Sequence, residues 1–372
     1  MRILHLSYDH INNPWLGGGG AKILHEVYRR LRKRHEVTVL TGAWPGVPAW
    51  EVIDGVRYSY AHPALGRITS RLSYAGRGGL AASSGRCDLI VDDVSPFSPT
   101  FAGALSRRPC IASVLLDLFS SARKHPIIAP IALSLLKWNL NRHNSFIVLS
   151  PSLEGLVREK VGTDRAVAVI PPGVDDELFE ARPQEEGFLL FLGRLDMNHK
   201  GLDCLVSAWD LLKERRKGLE LVIAGGGPDE GQLREMLRRR GLTDSVKFVG
   251  WVKGSAKADV LRKCLAVCMP SRREGWGIVA LEAAACGKPT VGFDVVGLRD
   301  AVLNGQTGLL VPCEDVTALA DAIMRIIDDV ALRRSLGDNA RERARDFTWD
   351  KTARRYESFF EQVLSQRHGA QR

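Results

Sequence analysis

Short apolar runs alternate with segments of helical periodicity along almost the whole chain, and this alternation restricts the fold more than any other feature. Residues 2–7, 35–40 and 88–93 are typical of strands, and residues 21–34 carry apolar side chains at helical spacing. Strands that alternate with helices predict a parallel sheet that is covered on both faces. We therefore predict an α/β protein built from doubly wound parallel sheets of the Rossmann-like kind.

The alternation runs in two series, which predicts two domains. Pro171, Pro172 and Gly173 interrupt any regular element, so residues 167–179 are predicted to be a linker. A second series of strands and helices begins at residue 187. The length of 372 residues is sufficient for two domains of this kind. We place the first domain at residues 1–168 and the second at residues 169–348.

Composition excludes several classes of protein. Hydrophobic residues make up 45% of the chain and charged residues 26%, which is typical of globular proteins rather than of disordered, collagenous or integral membrane proteins. The net charge of +9 favours anionic ligands such as phosphates, nucleic acid or lipid head groups. Seven scattered cysteines and the lack of a signal-peptide core predict structural thiols and a cytoplasmic location.

Several common catalytic motifs are missing from the sequence. It contains no Gly-x-Gly-x-x-Gly, no Walker A, no Gly-x-Ser-x-Gly and no His-Glu-x-x-His. These absences argue against a nicotinamide dehydrogenase, a P-loop NTPase, a serine hydrolase and a zinc protease. Asp-x-Asp is also absent, which argues weakly against a metal-dependent mechanism.

The most informative segment is SRREGWGIVALEAAACGKP, at residues 271–289. Glu274 is predicted to lie on a loop with Gly275 and Gly277, and a helix is predicted to begin near Gly277 and to carry Glu282 in its interior. The free N–H groups between Gly275 and Ile278 would bind a diphosphate. One carboxylate could accept hydrogen bonds from a ribose diol and the other from sugar hydroxyls. Together these features predict a site for a nucleotide sugar.

Three further segments could contribute to such a site. In GRLDMNHKG, Arg194 follows a strand and Lys200 precedes a helix, so both cations could neutralise a diphosphate leaving group. The glycine run 17–20 could form a second turn that faces phosphate. Trp251, in FVGWV, could stack on a nucleobase. Each of these features also has a purely structural interpretation, as a solvated charge, a flexible turn or a packing residue.

The chain resembles the retaining glycosyltransferases of family 4, which have the GT-B fold of two Rossmann-like domains facing across a cleft. The resemblance rests on LGGGGAKILHEVYRRL, PPGVDDELF, FLGRLDMNHKGLD, LVIAGGGPD, VKFVGWV, SRREGWGIVALEAAACGKPTVG and FTWDKTARRY. It implies that the second domain holds an NDP-sugar donor, that the first domain holds the acceptor, and that a C-terminal helix at residues 349–366 completes the first domain. It further implies hexosyl transfer with retention and without an essential metal or other cofactor.

The resemblance also assigns roles to individual residues. Arg194 and Lys200 would hold the diphosphate, Glu274 the donor sugar and Glu282 the ribose. The remaining substrate-binding positions that we predict are Gly18, Gly19, Asp117, Trp251, Gly275, Trp276, Gly277 and Ile278.

One position departs from the family pattern. Many relatives carry a histidine, often followed by aspartate, at the end of the strand that matches residues 110–119, where this chain has Leu116 and Asp117. A front-face mechanism, in which the leaving phosphate helps to deprotonate the acceptor, does not strictly need the histidine. Asp117 and His125 are the candidates to replace it.

Other functions stay open at this point. The same fold would suit an NDP-sugar epimerase, a phosphorylase, or a catalytically inactive protein that binds nucleotide sugars as a scaffold. A nucleic-acid-binding role would explain the charge, but no reader motif accompanies it. The acceptor could be a glycan, a lipid-linked saccharide or a small molecule. Residues 125–143, with an apolar half and a basic end, could attach the protein peripherally to the inner face of an anionic membrane.

Overall fold

The computed structural model describes residues 1–15, 18–122, 129–216 and 218–370. The chain forms two compact units. Unit 1 comprises Met1–Gly173 together with Trp349–Arg372, and unit 2 comprises Val174–Thr348. The first segment of unit 1 therefore ends at Gly173, a few residues beyond the position 168 that the sequence suggested.

Fourteen strands form the two sheets within the described residues. The strands are β1 (Arg2–Leu6), β2 (Glu36–Gly42), β3 (Trp50–Ile53), β4 (Val56–Ala61), β5 (Leu89–Asp93), β6 (Cys110–Val114), β7 (Ser145–Val148), β8 (Ala166–Val169), β9 (Phe188–Leu192), β10 (Glu220–Ala224), β11 (Val246–Gly250), β12 (Val267–Met269), β13 (Thr290–Phe293) and β14 (Gly308–Val311).

Sixteen helices are found in the described part of the chain. They are α1 (Gly19–Leu31), α2 (Arg67–Ser83), α3 (Ala102–Leu105), α4 (Leu118–Ala122), α5 (Ala129–Leu140), α6 (Pro151–Val161), α7 (Glu177–Glu180), α8 (Met197–Lys200), α9 (Leu202–Arg215), α10 (Glu230–Arg239), α11 (Gly254–Lys263), α12 (Ile278–Ala285), α13 (Leu298–Ala301), α14 (Val316–Asp328), α15 (Val330–Ala344) and α16 (Trp349–Ala370).

Unit 1 is built on an eight-stranded sheet in the order β3-β4-β2-β1-β5-β6-β7-β8. All neighbours are parallel except β3, which pairs antiparallel with β4 at the edge. Central strands such as β5 and β7 are buried along nearly their whole length because helices cover both faces of a parallel sheet. The chain moves from β1 to β2 on one side and reaches β5 on the other, so the strand order reverses between β1 and β5.

Unit 2 is built on a six-stranded parallel sheet in the order β11-β10-β9-β12-β13-β14. Its central strand β9 is fully buried and consists of Phe188–Leu192. The strand order reverses between β9 and β12. In open parallel sheets the crevice beyond the carboxyl ends of strands at such a reversal is the usual place for a ligand.

The last helix, α16, belongs to unit 1 and packs against α1. Arg30 on α1 donates to the Asp350 carboxylate over 2.6 Å, and the Thr352 hydroxyl donates to the carbonyl of Pro171 over 3.0 Å. Trp349 and Phe360 are fully buried, so an apolar side of α16 is anchored in this unit. The C-terminal helix predicted at residues 349–366 is confirmed.

One local prediction was wrong, and one edge strand was not predicted. Residues 166–169, largely assigned to a linker, form β8 and pair with β7, because the apolar run before Pro171 adds a strand at the edge of the sheet. The hairpin of β3 and β4 adds an antiparallel edge that the expected alternation of strand and helix did not contain.

Across the described ranges, every helix is too short or too polar to cross a membrane.

Candidate functional site

The carboxyl ends of β9 and β12 bring together the polar side chains that the sequence singled out in unit 2. Arg194 lies in the loop after β9, and Glu274 lies in the loop after β12. These strands are neighbours in the sheet, and the strand order reverses between them. The chain therefore places a cation and a carboxylate at the position where a parallel sheet commonly binds a ligand.

An ion pair between Lys200 and Glu274 joins these two loops. The Lys200 Nζ donates to Glu274 Oε1 over 2.6 Å, and the two side chains are only 20% and 10% exposed. Burial alone would raise the pKa of the Glu274 carboxyl, but the charge and hydrogen bond of Lys200 hold that pKa below its usual value. Glu274 is therefore an ionised acceptor of hydrogen bonds at neutral pH.

Lys200 owes its position to the short helix α8. Asp196 caps this helix and accepts a hydrogen bond from the backbone N–H of His199 over 2.9 Å. The chain then turns at Gly201, whose φ of +61° lies in the left-handed region. A Cβ at this residue would overlap the carbonyl oxygen of Pro270, so glycine alone allows the two loops to approach each other here.

Arg194 lies beside the same pair of loops. Its guanidinium is 3.7 Å from Asp196 Oδ2, and its side chain is 28% exposed. A partly exposed guanidinium can bind a phosphate without first leaving a buried ion pair. The structure thus leaves Arg194 accessible while Lys200 is engaged by Glu274.

The N-terminus of α12 follows Glu274 directly. Gly277 is its N-cap residue with a φ of +98°, and a Cβ there would meet the side chain of Leu298. The first N–H groups of a helix, here from Ile278 onwards, have no partner within the helix and carry the positive end of its dipole. Gly275 is buried in the preceding loop, and Ile278 is half-buried. The predicted start of this helix near Gly277 is confirmed.

Glu282 lies inside α12 and is 4% exposed. The Nζ of Lys257, on α11, donates to its Oε1 over 2.6 Å and lies 3.7 Å from Asp175 Oδ2. Sequence analysis did not identify Lys257, because no motif links it to Glu282 and the two lie on separate helices. The only sequence feature that could have drawn attention to Lys257 is its position on α11, shortly after Trp251.

The two tryptophans predicted to bind substrate lie in opposite environments. Trp251 follows β11, is 58% exposed, and has its Nε1 so close to Gly226 that a Cβ there would clash with it. Trp276 is buried, and its ring packs 5.2 Å from that of Phe347. The structure therefore gives Trp276 a packing role inside unit 2, whereas Trp251 presents its ring at the carboxyl edge of the sheet.

In unit 1 the predicted glycine loop is shorter than expected. Gly18 is the N-cap residue of α1, and Gly19 already belongs to its first turn. Both are exposed, and this first turn contains no acidic side chain. The N-terminus of α1 therefore follows β1 at the reversal of strand order in this sheet, where it could face an anion. Residue 17 lies outside the described residues.

Asp117 caps α4 in unit 1. Its Oδ1 accepts hydrogen bonds from the backbone N–H groups of Phe119 and Ser120 over 3.0 Å each, and the Ser120 hydroxyl donates to its Oδ2. This arrangement gives Asp117 a local structural role at the start of α4. His125, the other candidate, lies outside the described residues.

A second polar pair in unit 1 was missed by sequence analysis. His5 Nε2 on β1 lies 3.1 Å from Asp93 Oδ1 at the end of β5, and the Tyr28 hydroxyl lies 2.7 Å from His5 Nδ1. These residues line a small cavity together with Ser113 and Tyr356. Burial would raise the pKa of Asp93, but the facing imidazole holds it below its usual value. Polar residues within buried strands are the signal that could have revealed this pair.

Within the described ranges, no three His, Cys, Asp or Glu side chains are grouped so that they could hold a metal ion. The candidate site contains the three cations Arg194, Lys200 and Lys257, the two carboxylates of Glu274 and Glu282, and the N-terminus of α12.

Two family models match successive parts of the chain. The model described as "Glycosyltransferase Family 4" matches residues 17–178, and the model described as "Glycosyl transferases group 1" matches residues 175–343. The second match includes Arg194, Lys200, Glu274 and Glu282.

Curated relatives match about half of the chain. A glycogen synthase from Mycobacterium tuberculosis is 34% identical over 58% of this chain, and a D-inositol 3-phosphate glycosyltransferase from Actinosynnema mirum is 39% identical over 50% of it. These matches span about half the length of the relatives, 53% of the first and 49% of the second.

Solved structures match almost the whole chain in fold. A sucrose-phosphate synthase from Thermosynechococcus elongatus has a TM-score of 0.83 at 23% identity, covering 98% of this chain and all of that one. HepE from Anabaena, solved in complex with UDP-glucose, has a TM-score of 0.77 at 21% identity, covering 97% of this chain and all of that one.

Proposed function

Because the chain belongs to the family 4 glycosyltransferases, which have the GT-B fold, we propose that it transfers a hexose-type sugar from an NDP-sugar to an acceptor hydroxyl with retention at the anomeric carbon. The observation that carries this proposal is the ion pair of Lys200 and Glu274 at the strand-order reversal of unit 2, next to Arg194 and the N-terminus of α12. This arrangement combines cations for a diphosphate with an ionised acceptor for sugar hydroxyls.

The donor would be held entirely by groups of unit 2. Arg194, Lys200 and the N–H groups from Gly275 to Ile278 would bind the two phosphates, while Glu282 would accept hydrogen bonds from the ribose hydroxyls. The supporting facts are the exposure of Arg194 and the buried, lysine-paired position of Glu282. Trp251 is exposed near Gly226 and would stack on the base.

Glu274 would orient the donor sugar. Its carboxylate is ionised and is fixed by Lys200, so it can accept hydrogen bonds from hydroxyls of the hexose. A buried, charge-assisted hydrogen bond is directional and costs little reorganisation during reaction. Glu274 would therefore position the anomeric carbon relative to the diphosphate.

In the proposed reaction, the bond between the anomeric carbon and the donor phosphate oxygen breaks, and a bond from the acceptor oxygen to the same face of that carbon forms. The acceptor proton passes to the departing phosphate oxygen, so the products are the glycoside and a nucleoside diphosphate. Negative charge develops on that phosphate, and Arg194 and Lys200 would stabilise it. Because these cations supply positive charge, the reaction should need no metal ion.

The acceptor would be held by unit 1. The exposed N-terminus of α1 at Gly18 and Gly19 lies at the strand-order reversal of that sheet and supports this assignment. Related proteins include a glycogen synthase and a D-inositol 3-phosphate glycosyltransferase. A polyhydroxylated acceptor therefore suits the family. It would be a glycan, a lipid-linked saccharide or a small molecule.

Release of nucleoside diphosphate from a panel of NDP-sugars, with and without added glycan acceptors, tests the proposal. We expect Glu274→Gln to lower turnover at least about 100-fold while the protein stays folded, because the variant loses the charged group that orients the sugar. Glu230→Gln is the matched control, since Glu230 pairs with Arg234 on the exposed surface of α10 and should keep full activity.

Two results would oppose the proposal. Full turnover in Glu274→Gln would remove Glu274 from the site. A wild-type protein that binds one NDP-sugar but never turns it over would favour the binding-scaffold alternative.

A further inference from the structure

Helix α2 of unit 1 buries small residues and a tyrosine and leaves its large aliphatic side chains exposed. Toward the interior it buries Ser70, Gly78 and Ala82, together with Tyr74. Its large aliphatic side chains face outward instead: Ile68 is 77% exposed, Leu72 68% and Leu80 72%. A helix that covers a sheet normally turns its large apolar residues inward, so this arrangement leaves an apolar stripe in contact with water.

Helix α5 presents a second apolar stripe. Ile131, Leu135 and Trp138 are exposed on it, and Leu105 on α3 is exposed as well. The three helices contact one another in the order α2, α3, α5. Leu105 lies so close to Gly79 on α2 that a Cβ there would touch it, and Phe101 lies 5.7 Å from the Trp138 ring. The two stripes therefore belong to one surface.

The charged residues on the helices that form this surface are all positive. Helices α2, α3 and α5 contain no acidic residue. Between Asp54 and Asp88 the chain has five arginines and no Asp or Glu, and residues 118–153 likewise have no Asp or Glu. Arg67 and Arg77 are exposed on α2, and Arg142 lies 4.9 Å from the Trp138 ring. Exposed aliphatic and indole side chains among cations, on helices that carry no acidic residue, match the boundary between lipid head groups and acyl chains.

We propose that this surface, which we call the α2–α5 face, docks on an anionic lipid bilayer. Its defining residues are Ile68, Leu72, Leu80, Leu105, Ile131 and Trp138. The apolar side chains would enter the head-group region, and the arginines would bind lipid phosphates. A second copy of the chain is a poorer occupant, because two such faces packed together would bring arginines against arginines. This docking is independent of the sugar transfer proposed above.

Co-sedimentation of the full chain with vesicles tests the proposal. We expect binding to vesicles made of equal parts of phosphatidylcholine and phosphatidylglycerol, and weaker binding to vesicles of phosphatidylcholine alone. The double variant Ile68→Ser with Leu72→Ser should lower partitioning to the anionic vesicles at least about tenfold, because two aliphatic side chains no longer enter the lipid. Arg67→Gln with Arg77→Gln should lower it roughly tenfold or more on the anionic vesicles alone.

The matched control is Val330→Ser, which removes an exposed apolar side chain from unit 2 and should bind as the wild type does. Both face variants change exposed side chains, so their thermal unfolding should stay close to that of the wild type.

Three outcomes would overturn the proposal. The first is a wild-type protein that does not bind anionic vesicles, and the second is binding that both face variants retain in full. The third is a dimer in solution that Ile68→Ser with Leu72→Ser dissociates, because this result would assign the face to a second copy of the chain.

Discussion

Lys257 forms an ion pair with one of the two carboxylates of the candidate site. Its ammonium lies 2.6 Å from the carboxylate of Glu282, and their side chains are only 15% and 5% exposed. Removing one partner of a buried ion pair leaves the other charge in a poorly solvated place, which is strongly destabilising. Lys257 is therefore expected to support both the packing of α12 and the proposed ribose contact.

Replacing this lysine by an apolar residue of similar length separates these effects. We expect Lys257→Met to lower the free energy of unfolding by about 3 kcal/mol and to weaken nucleoside diphosphate binding. Chemical denaturation and titration calorimetry measure the two effects. Lys263→Met is the control, because Lys263 lies on the same helix and pairs with Glu186 at the surface. Equal behaviour of the two variants would contradict the role given to Lys257.

Sequence reasoning could identify types of residue here but not their pairing. Glu274 and Lys200 were both predicted, because glycines and helix signals surround them in the sequence. Their direct contact depends on the tertiary approach of two loops, which residue spacing does not encode. Trp276 was predicted to bind substrate, but the packing of Phe347 against it decides its environment instead.

At the scale of elements, the junction of α8 and α9 determines where Lys200 lies. Gly201 joins these helices with a φ of +61°, and its α-carbon faces the Pro270 carbonyl, which leaves no room for a side chain. Any other residue would suffer both backbone strain and a steric clash. The turn at Gly201 therefore helps to fix the position of Lys200 beside Glu274.

A pair of glycine variants isolates the clash from the strain. Gly241 has a nearly identical φ of +63°, but its nearest neighbour is the flexible end of Lys213. We expect Gly241→Ala to cost about 1 kcal/mol from strain alone, and Gly201→Ala to cost roughly 2 kcal/mol or more. Denaturant unfolding measures both. Equal losses would show that the approach of Pro270 imposes no constraint.

His10 lies buried in the loop after β1 and should make unit 1 less stable in acid. Burial, assisted by the charge of His25, lowers the pKa of His10 to about 4. Its Nδ1 accepts from the backbone N–H of Asn12, its Nε2 lies 3.2 Å from the Tyr60 hydroxyl, and the ring packs against Trp44. This environment suits the neutral imidazole.

The lowered pKa sets the direction of a pH effect. Between the pKa of about 6.5 in the unfolded chain and the lower folded value, the unfolded state binds more protons, so stability falls as pH decreases. We expect the wild type to lose about 2 kcal/mol more than His10→Gln between about pH 7 and about pH 5. His62→Gln, which removes a partly exposed histidine, should keep the wild-type dependence. Denaturant unfolding at both pH values measures these losses. The argument would be contradicted if His10→Gln lost as much stability as the wild type between the two pH values.

At the scale of the whole molecule, the alternation of strands and helices was enough to predict two parallel sheets, because the apolar runs are long and regular. It could not predict the antiparallel hairpin of β3 and β4, since an edge strand such as Trp50–Ile53 is half-exposed and carries a weak pattern. It also could not predict that α2 turns its aliphatic residues outward, because periodicity shows that a helix has two faces but not which face is buried.

We propose that unit 2 binds the diphosphate of a nucleotide sugar through cations rather than through a metal ion. Titration calorimetry with UDP, GDP, ADP and TDP, with and without EDTA, tests it most directly. We expect one of these to bind equally well in EDTA, and Lys200→Met to weaken its binding at least about tenfold, because a charge-assisted hydrogen bond to phosphate is lost. Lys247→Met, which alters an exposed lysine paired with Glu220, should bind as the wild type does. Failure of every diphosphate to bind, binding abolished by EDTA, or wild-type affinity in Lys200→Met would contradict the claim.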